Sequence, residues 1–204
     1  MSIFDLFKRK PNPEQLRLEK MQTELEFLRS QQNPQFLHAT LNHIYKMAYP
    51  VSDQVADAIQ KLSDLIPYML ADNTTSTVNL QNEVEYLKLY IDLHRLRLGE
   101  PFSVDFKTTG DITAVQIAPL ILFPFVENAL KHGVLNLENR PVRIALQASY
   151  NRLTFTVSYK INQTPENEDT IRRRLEFLYP GNYDLMIANN GETYKSTLTI
   201  KFTT

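Results

Sequence analysis

The apolar periodicity of this chain changes at Gly99, and that change constrains the fold more than any single motif. Before it, the spacing is helical. Leu18, Met21, Leu25 and Leu28 form a heptad seam in a helix expected to begin near Glu14. The pattern resumes through Phe36, Leu37, Leu41 and Ile44 and stops at Pro50. Val55, Ile59, Leu62, Ile66 and Leu70 stripe a second helix over about 52–71, which Pro67 is expected to kink or cut short. Val84, Leu87, Ile91 and Leu98 stripe a third over about 80–98, closed by Gly99. After Gly99, Phe102, Val104 and Phe106 alternate with polar residues, as do 142–149 and 153–159, and further strands are expected near 183–188 and 194–202. Between them lie an apolar stretch over 119–132, expected as a buried helix with a polar end, and a basic helix over about 169–179. The fold class is therefore α+β: a flexible segment 1–13, a helical domain 14–99 and an α/β domain 100–204 with an antiparallel sheet.

Composition narrows the chemistry. Only five of 204 residues are glycine, about 2.5 % against a usual 7 % or so, and no G-x-G occurs. Walker, Rossmann and kinase glycine-rich loops are excluded. With no cysteine there are no disulfides, thiolate metal sites or thiol nucleophiles, and four scattered histidines do not suggest a zinc centre. A net charge of -1 gives no general attraction to nucleic acid or anionic membrane, and neither is expected as a partner. Residues 1–10 are too short and too charged for a signal peptide or a membrane span. Phe4, Leu6 and Phe7 beside Lys8, Arg9 and Lys10 suit at most weak surface contact, and a disordered start is the expectation.

Two segments then carry a resemblance. Asn33-Pro34-Gln35-Phe36-Leu37-His38-Ala39-Thr40-Leu41-Asn42 resembles the N-P-H-F-L-F-N-T-L-N phosphoacceptor box of LytS/YehU-type bacterial sensor histidine kinases. Pro124-Phe125-Val126-Glu127-Asn128-Ala129-Leu130-Lys131-His132-Gly133 is similar to that family's N box, P-L-V-E-N-A-I-K-H-G. Leu62-Ser63-Asp64 and Leu96-Arg97-Leu98-Gly99 also fit the family's connecting helices. The resemblance, spanning about 14–204, implies a dimerisation hairpin forming half of a four-helix bundle, followed by a histidine-kinase-type ATPase α/β sandwich. It also implies ATP and Mg²⁺ as cofactors. Asn128 would hold Mg²⁺, Lys131 and His132 would face the nucleotide, and with Glu127 these make up the N box set.

The sequence departs from that pattern where chemistry is done. The phosphoacceptor position is Gln35, an amide without a nucleophilic nitrogen. Tyr159-Lys160-Ile161 replaces the D-N-G that would hold adenine, and Pro165-Glu166-Asn167-Glu168 replaces the G-I-G-L that would close over phosphates. The lid between these boxes is cut to a few residues, while Arg174-Leu175-Glu176-Phe177-Leu178-Tyr179-Pro180 keeps the family's R-L-x-x-x-Y-P helix. The reading is a catalytically inactive two-component signalling module with no cofactor. It would dimerise with itself or with an active sensor histidine kinase, dock a response regulator, and act in the cytoplasm, reaching the inner face of the membrane through a partner. The alternative is an active autokinase using His38 as a displaced phosphoacceptor. His43 and His94 are expected to be surface or satisfied histidines. Arg172-Arg173-Arg174 is expected to be a solvated helix face neutralising Glu166, Glu168 and Asp169.

Overall fold

The computed structural model describes residues 34–70, 77–165 and 168–202. The heptad seam at 18–28, the segment 1–13 and the Glu166-Asn167 pair lie outside the described residues. Helix α1 (Pro34–Ala48) and helix α2 (Asp53–Leu70) form a hairpin. In the short turn between them, Ser52 Oγ accepts a hydrogen bond from the Val55 N–H at 3.4 Å, an N-cap for the second helix. Leu41 and Ala56 are buried between the two helices. Helix α2 continues three residues past Pro67 and ends at Leu70, close to the expected end. Pro67 is exposed and removes one backbone donor from the last turns of the helix.

Strand β1 (Val78–Asn79) leads into helix α3 (Leu80–Leu98), where Asn79 caps the start by accepting from the Gln81 N–H at 2.8 Å. Gly99 ends the helix at φ 72°, a left-handed conformation that favours glycine, and donates its N–H to Arg95. Burial does not stop there. Leu80, Val84, Leu87 and Ile91 share one core with Phe102, Val142, Leu153 and Leu198, so α3 packs with the sheet-bearing residues.

The sheet contains β2 (Val104–Gly110), β4 (Val142–Ser149), β5 (Arg152–Lys160), β6 (Tyr183–Asn189) and β7 (Thr193–Lys201), in the order β2-β4-β5-β7-β6. It is mixed, which corrects the antiparallel expectation. β2 runs parallel to β4 because the chain crosses over through α4 before returning, whereas the other pairs are antiparallel. A two-stranded sheet joins β1 to β3 (Gln116–Ile117), a pair too short to leave an alternation signal. Alternation along β4, β5 and β7 turns Ile144, Leu146, Leu153, Phe155, Val157, Leu198 and Ile200 inward, each contributing about 1.5–3 kcal/mol of burial. Helix α4 (Phe123–His132) packs on this face, with the Phe125 and Phe155 rings edge to face at 6.2 Å. Helix α5 (Glu168–Leu178) buries Ile171 and Leu175. The other face carries Arg143, Gln147, Thr154, Thr156 and Lys195, wholly or partly open to solvent. The result is a two-layer α/β sandwich behind a helical hairpin.

Candidate functional site

The N box residues lie on α4, and the helix divides them. Asn128 and His132, four residues apart, are buried, while Glu127 and Lys131, also four apart, are exposed. Lys131 and His132, adjacent on the helix, diverge by about 100° and stand in different environments, one exposed and one buried. His132 is 2 % exposed, and neither ring nitrogen has a hydrogen-bond partner. Its backbone carbonyl instead accepts from the N–H groups of Asn162 and Gln163 at 2.8 and 3.1 Å, fastening the segment after β5 onto the end of α4. Val134 N–H donates to Lys160, and Gly133 bridges to Ile161.

Tyr159, the first residue of the Tyr159-Lys160-Ile161 segment, is buried against this junction. A Cβ at Gly133 would run into the Ala129 carbonyl oxygen and stand 3.2 Å from the Tyr159 ring, so the helix end and the ring close on this glycine. The Tyr159 ring stacks on Tyr194 at 5.2 Å, and Tyr194 donates its hydroxyl to Glu168 at 3.0 Å. Burial pushes both phenols well above the ordinary tyrosine range. The Tyr159 hydroxyl is buried with no partner.

Gln35 lies in the first turn of α1. His38, one turn on, is exposed, and its Nδ1 lies 3.1 Å from the Asn42 amide nitrogen. His43 is exposed. His94 packs against Tyr90 and lies 3.1 Å from the Arg97 guanidinium, and burial, then that charge, lowers its pKa. No group of three or more His, Asp or Glu side chains able to hold a metal ion forms among the described residues.

The sequence reading missed a second cluster. Glu83, in the first turn of α3, is fully buried. Its carboxylate accepts the Tyr68 hydroxyl at 2.6 Å, the Leu120 N–H at 2.8 Å and the Leu122 N–H at 3.2 Å. It thereby holds the turn leading into α4, where Leu120 adopts φ 55°. Arg174 of α5 donates to the carbonyls of Pro119 and Leu120 at 2.8 and 3.2 Å, and Tyr179 Oη accepts from the Ala118 N–H at 2.7 Å. Arg174 is thus no solvated charge, which corrects one third of the expected basic face. Burial raises the Glu83 pKa, opposed by the Tyr68, Leu120 and Leu122 hydrogen bonds and by Arg174. The signal was present: Glu83 interrupts the apolar stripe of Leu80, Val84 and Leu87, where an unpartnered carboxylate would be costly.

A conserved-family model described as histidine kinase matches residues 23–102. The sensor histidine kinase BtsS of Escherichia coli K12 is 30 % identical over 127 residues, covering 62 % of this chain and 22 % of that protein. An uncharacterized sensor-like histidine kinase of Staphylococcus epidermidis is 28 % identical over 184 residues, 85 % of this chain and 34 % of that one. Sensor protein LytS of Enterococcus faecalis is 25 % identical over 133 residues, 65 % and 23 % of the two chains. A nucleotide-free catalytic domain of the histidine kinase ThkA superposes with a TM-score of 0.45 at 12 % identity, over 62 % of this chain and 94 % of that domain. These matches lie among sensor histidine kinases of two-component signalling, and the matched residues include the helical hairpin that carries the Gln35 box. Among known proteins, the chain is thus similar to sensor histidine kinases of the LytS and BtsS type. It spans about a fifth to a third of the curated relatives it matches.

Proposed function

We propose that this chain is a non-catalytic module of two-component signalling, working through dimerisation and partner docking. The observation that carries this reading is Tyr159. At the position where the family resemblance calls for an adenine-binding aspartate, a buried phenol packs over Gly133 and stacks on Tyr194. A carboxylate accepting from an adenine amino group has no counterpart there. Glu168, at the end of the former glycine box, faces Tyr194 and brings negative charge to ground meant for phosphates. Asn128 alone is a poor magnesium site, since the ion takes several hard oxygen ligands and Glu127 points to solvent. The residues present do not fit Mg-ATP.

Dimerisation is supported by two exposed apolar stripes. Leu37, Ile44 and Val51 recur every seven residues along α1 and its following turn, and Val55, Leu62 and Met69 do so along α2; all six are exposed. A sustained period of seven is the spacing that supercoiled helices use to meet another helix pair. A second copy, or a related kinase carrying the same hairpin, is the partner of that chemistry. The similarity to sensor histidine kinases supports a response regulator docking on the resulting bundle. Among the described residues no helix is long and apolar enough to cross a membrane.

The test is incubation with γ-labelled Mg-ATP of the parent, His38→Ala and Gln35→His. No label is expected on any of them. Label on the parent that disappears in His38→Ala would overturn this reading in favour of a displaced phosphoacceptor. Label on Gln35→His alone would show a working nucleotide site and overturn its loss.

A further inference from the structure

The solvent face of the sheet carries a concentration of charge on the opposite side from α4. Arg143 on β4, Ser158 on β5 and Lys195 on β7 stand opposite one another in register, and Lys160 and Thr193 form the next row. Neighbouring strands lie about 4.8 Å apart and alternate residues about 6.6 Å apart, so the three cations start from backbone positions within roughly 10 Å. They line a concavity of about 400 Å³ together with Ser158 and Thr193, a size suited to a small ligand.

These charges are not neutralised locally. Glu192, at the rim, is paired with Arg140 at 2.7 Å, and Asp105, beside Arg143 on β2, lies 3.1 Å from Lys107. Arg143, Lys160 and Lys195 make no side-chain ion pair or hydrogen bond among the described residues. Like charges on adjacent strands repel, so an anion bridging them relieves a cost built into the fold. The chain as a whole carries -1, so the cluster does not reflect a generally basic surface.

We propose that Arg143, Lys160 and Lys195 form a binding site for a small, multiply charged phosphate ligand of the pyrophosphate class, with the Ser158 and Thr193 hydroxyls as neutral donors. One phosphate group is too small to reach cations spread over two residue rows and three strands, whereas two linked phosphates are not. Arginine supplies a planar fork for one group and the lysines point charges for the other.

The experiment is isothermal titration of the full chain with sodium pyrophosphate, orthophosphate and ADP at low, matched ionic strength, alongside Lys160→Gln/Lys195→Gln and, as a charge control on α1, Lys46→Gln. Saturable one-to-one binding of pyrophosphate is expected, weakened at least tenfold in the double variant and unchanged in Lys46→Gln. Orthophosphate should bind more weakly. Comparable binding of ADP would assign the recognised unit to a diphosphate carried on a nucleotide, and its failure to bind would assign it to free pyrophosphate. The double variant changes only solvent-facing side chains, and its thermal melt without ligand verifies the fold. Absence of saturable binding, or binding unaffected by the double variant, would overturn the proposal. So would binding of poly-glutamate without pyrophosphate, which would point to an acidic peptide instead.

Discussion

Glu83 shows how one side chain can fix the position of a helix that begins at Phe123, far along the chain. Its carboxylate links α2, α3 and the turn before α4 through Tyr68, Leu120 and Leu122. Glu83→Gln substitutes an amide whose NH₂ faces backbone N–H donors, leaving one buried donor unmatched at a cost of about 1–3 kcal/mol. The charge also makes the effect depend on pH. The folded chain holds the Glu83 proton more tightly than the unfolded chain does, because burial raises its pKa. Its contribution is full below the unfolded carboxyl value of about 4.3 and is lost as pH rises through the raised folded value. Urea unfolding of parent and Glu83→Gln at several pH values from 4 to 7 should therefore show the parent's advantage shrinking with rising pH. An advantage that grows would mean the hydrogen bonds outweigh desolvation. Only half of this residue's role was readable in the sequence. A carboxylate on an apolar stripe announces a buried partner, but Tyr68 and the 119–122 turn approach it from 15 and 37 residues away, and no local pattern encodes that meeting.

Among the elements, the strands and α3 followed their local signals closely, because alternation and a capped apolar stripe are written in neighbouring residues. Asn79 and Gly99 mark the ends of α3 through their own side-chain and backbone chemistry. Pro67 lies three residues before the end of α2, so the helix runs only to Leu70 beyond it. The direction of β2 was hidden, since strand pairing is set by the crossover and not by the strand's own residues. Gly110, the last residue of β2, records that pairing in its backbone. It sits at φ 84°, opposite Ala148, and a Cβ there would run into the Ala148 carbonyl oxygen. Gly110→Ala must therefore both adopt a disfavoured φ and push β2 away from β4. The expected loss is at least about 1–3 kcal/mol, read from the urea midpoint at unchanged slope. A variant as stable as the parent would mean the end of β2 is free to part from β4.

At the scale of the whole molecule, polar chemistry and apolar packing have separated. The packing residues around the N box, Val126, Ala129 and Leu130, remain fully or nearly fully buried, while the catalytic positions hold Gln35 and Tyr159. On the proposed docking role, what the described residues offer a partner includes the pair of apolar stripes on α1 and α2. Six exposed large apolar side chains at a spacing of seven are costly in water and become core residues when a second hairpin docks. Their loss in a dimer should be cooperative, because each knob helps to form the hole for its neighbour. Ile44→Asp with Leu62→Asp places a charge in the middle of each stripe. Both positions face solvent in the isolated chain, so the fold of one chain should survive, as circular dichroism would verify. Sedimentation equilibrium should then move from the mass of two chains to that of one. The parent sedimenting as a monomer at high micromolar concentration would sink self-association, and mixed assembly with a related kinase would become the remaining way to cover this face.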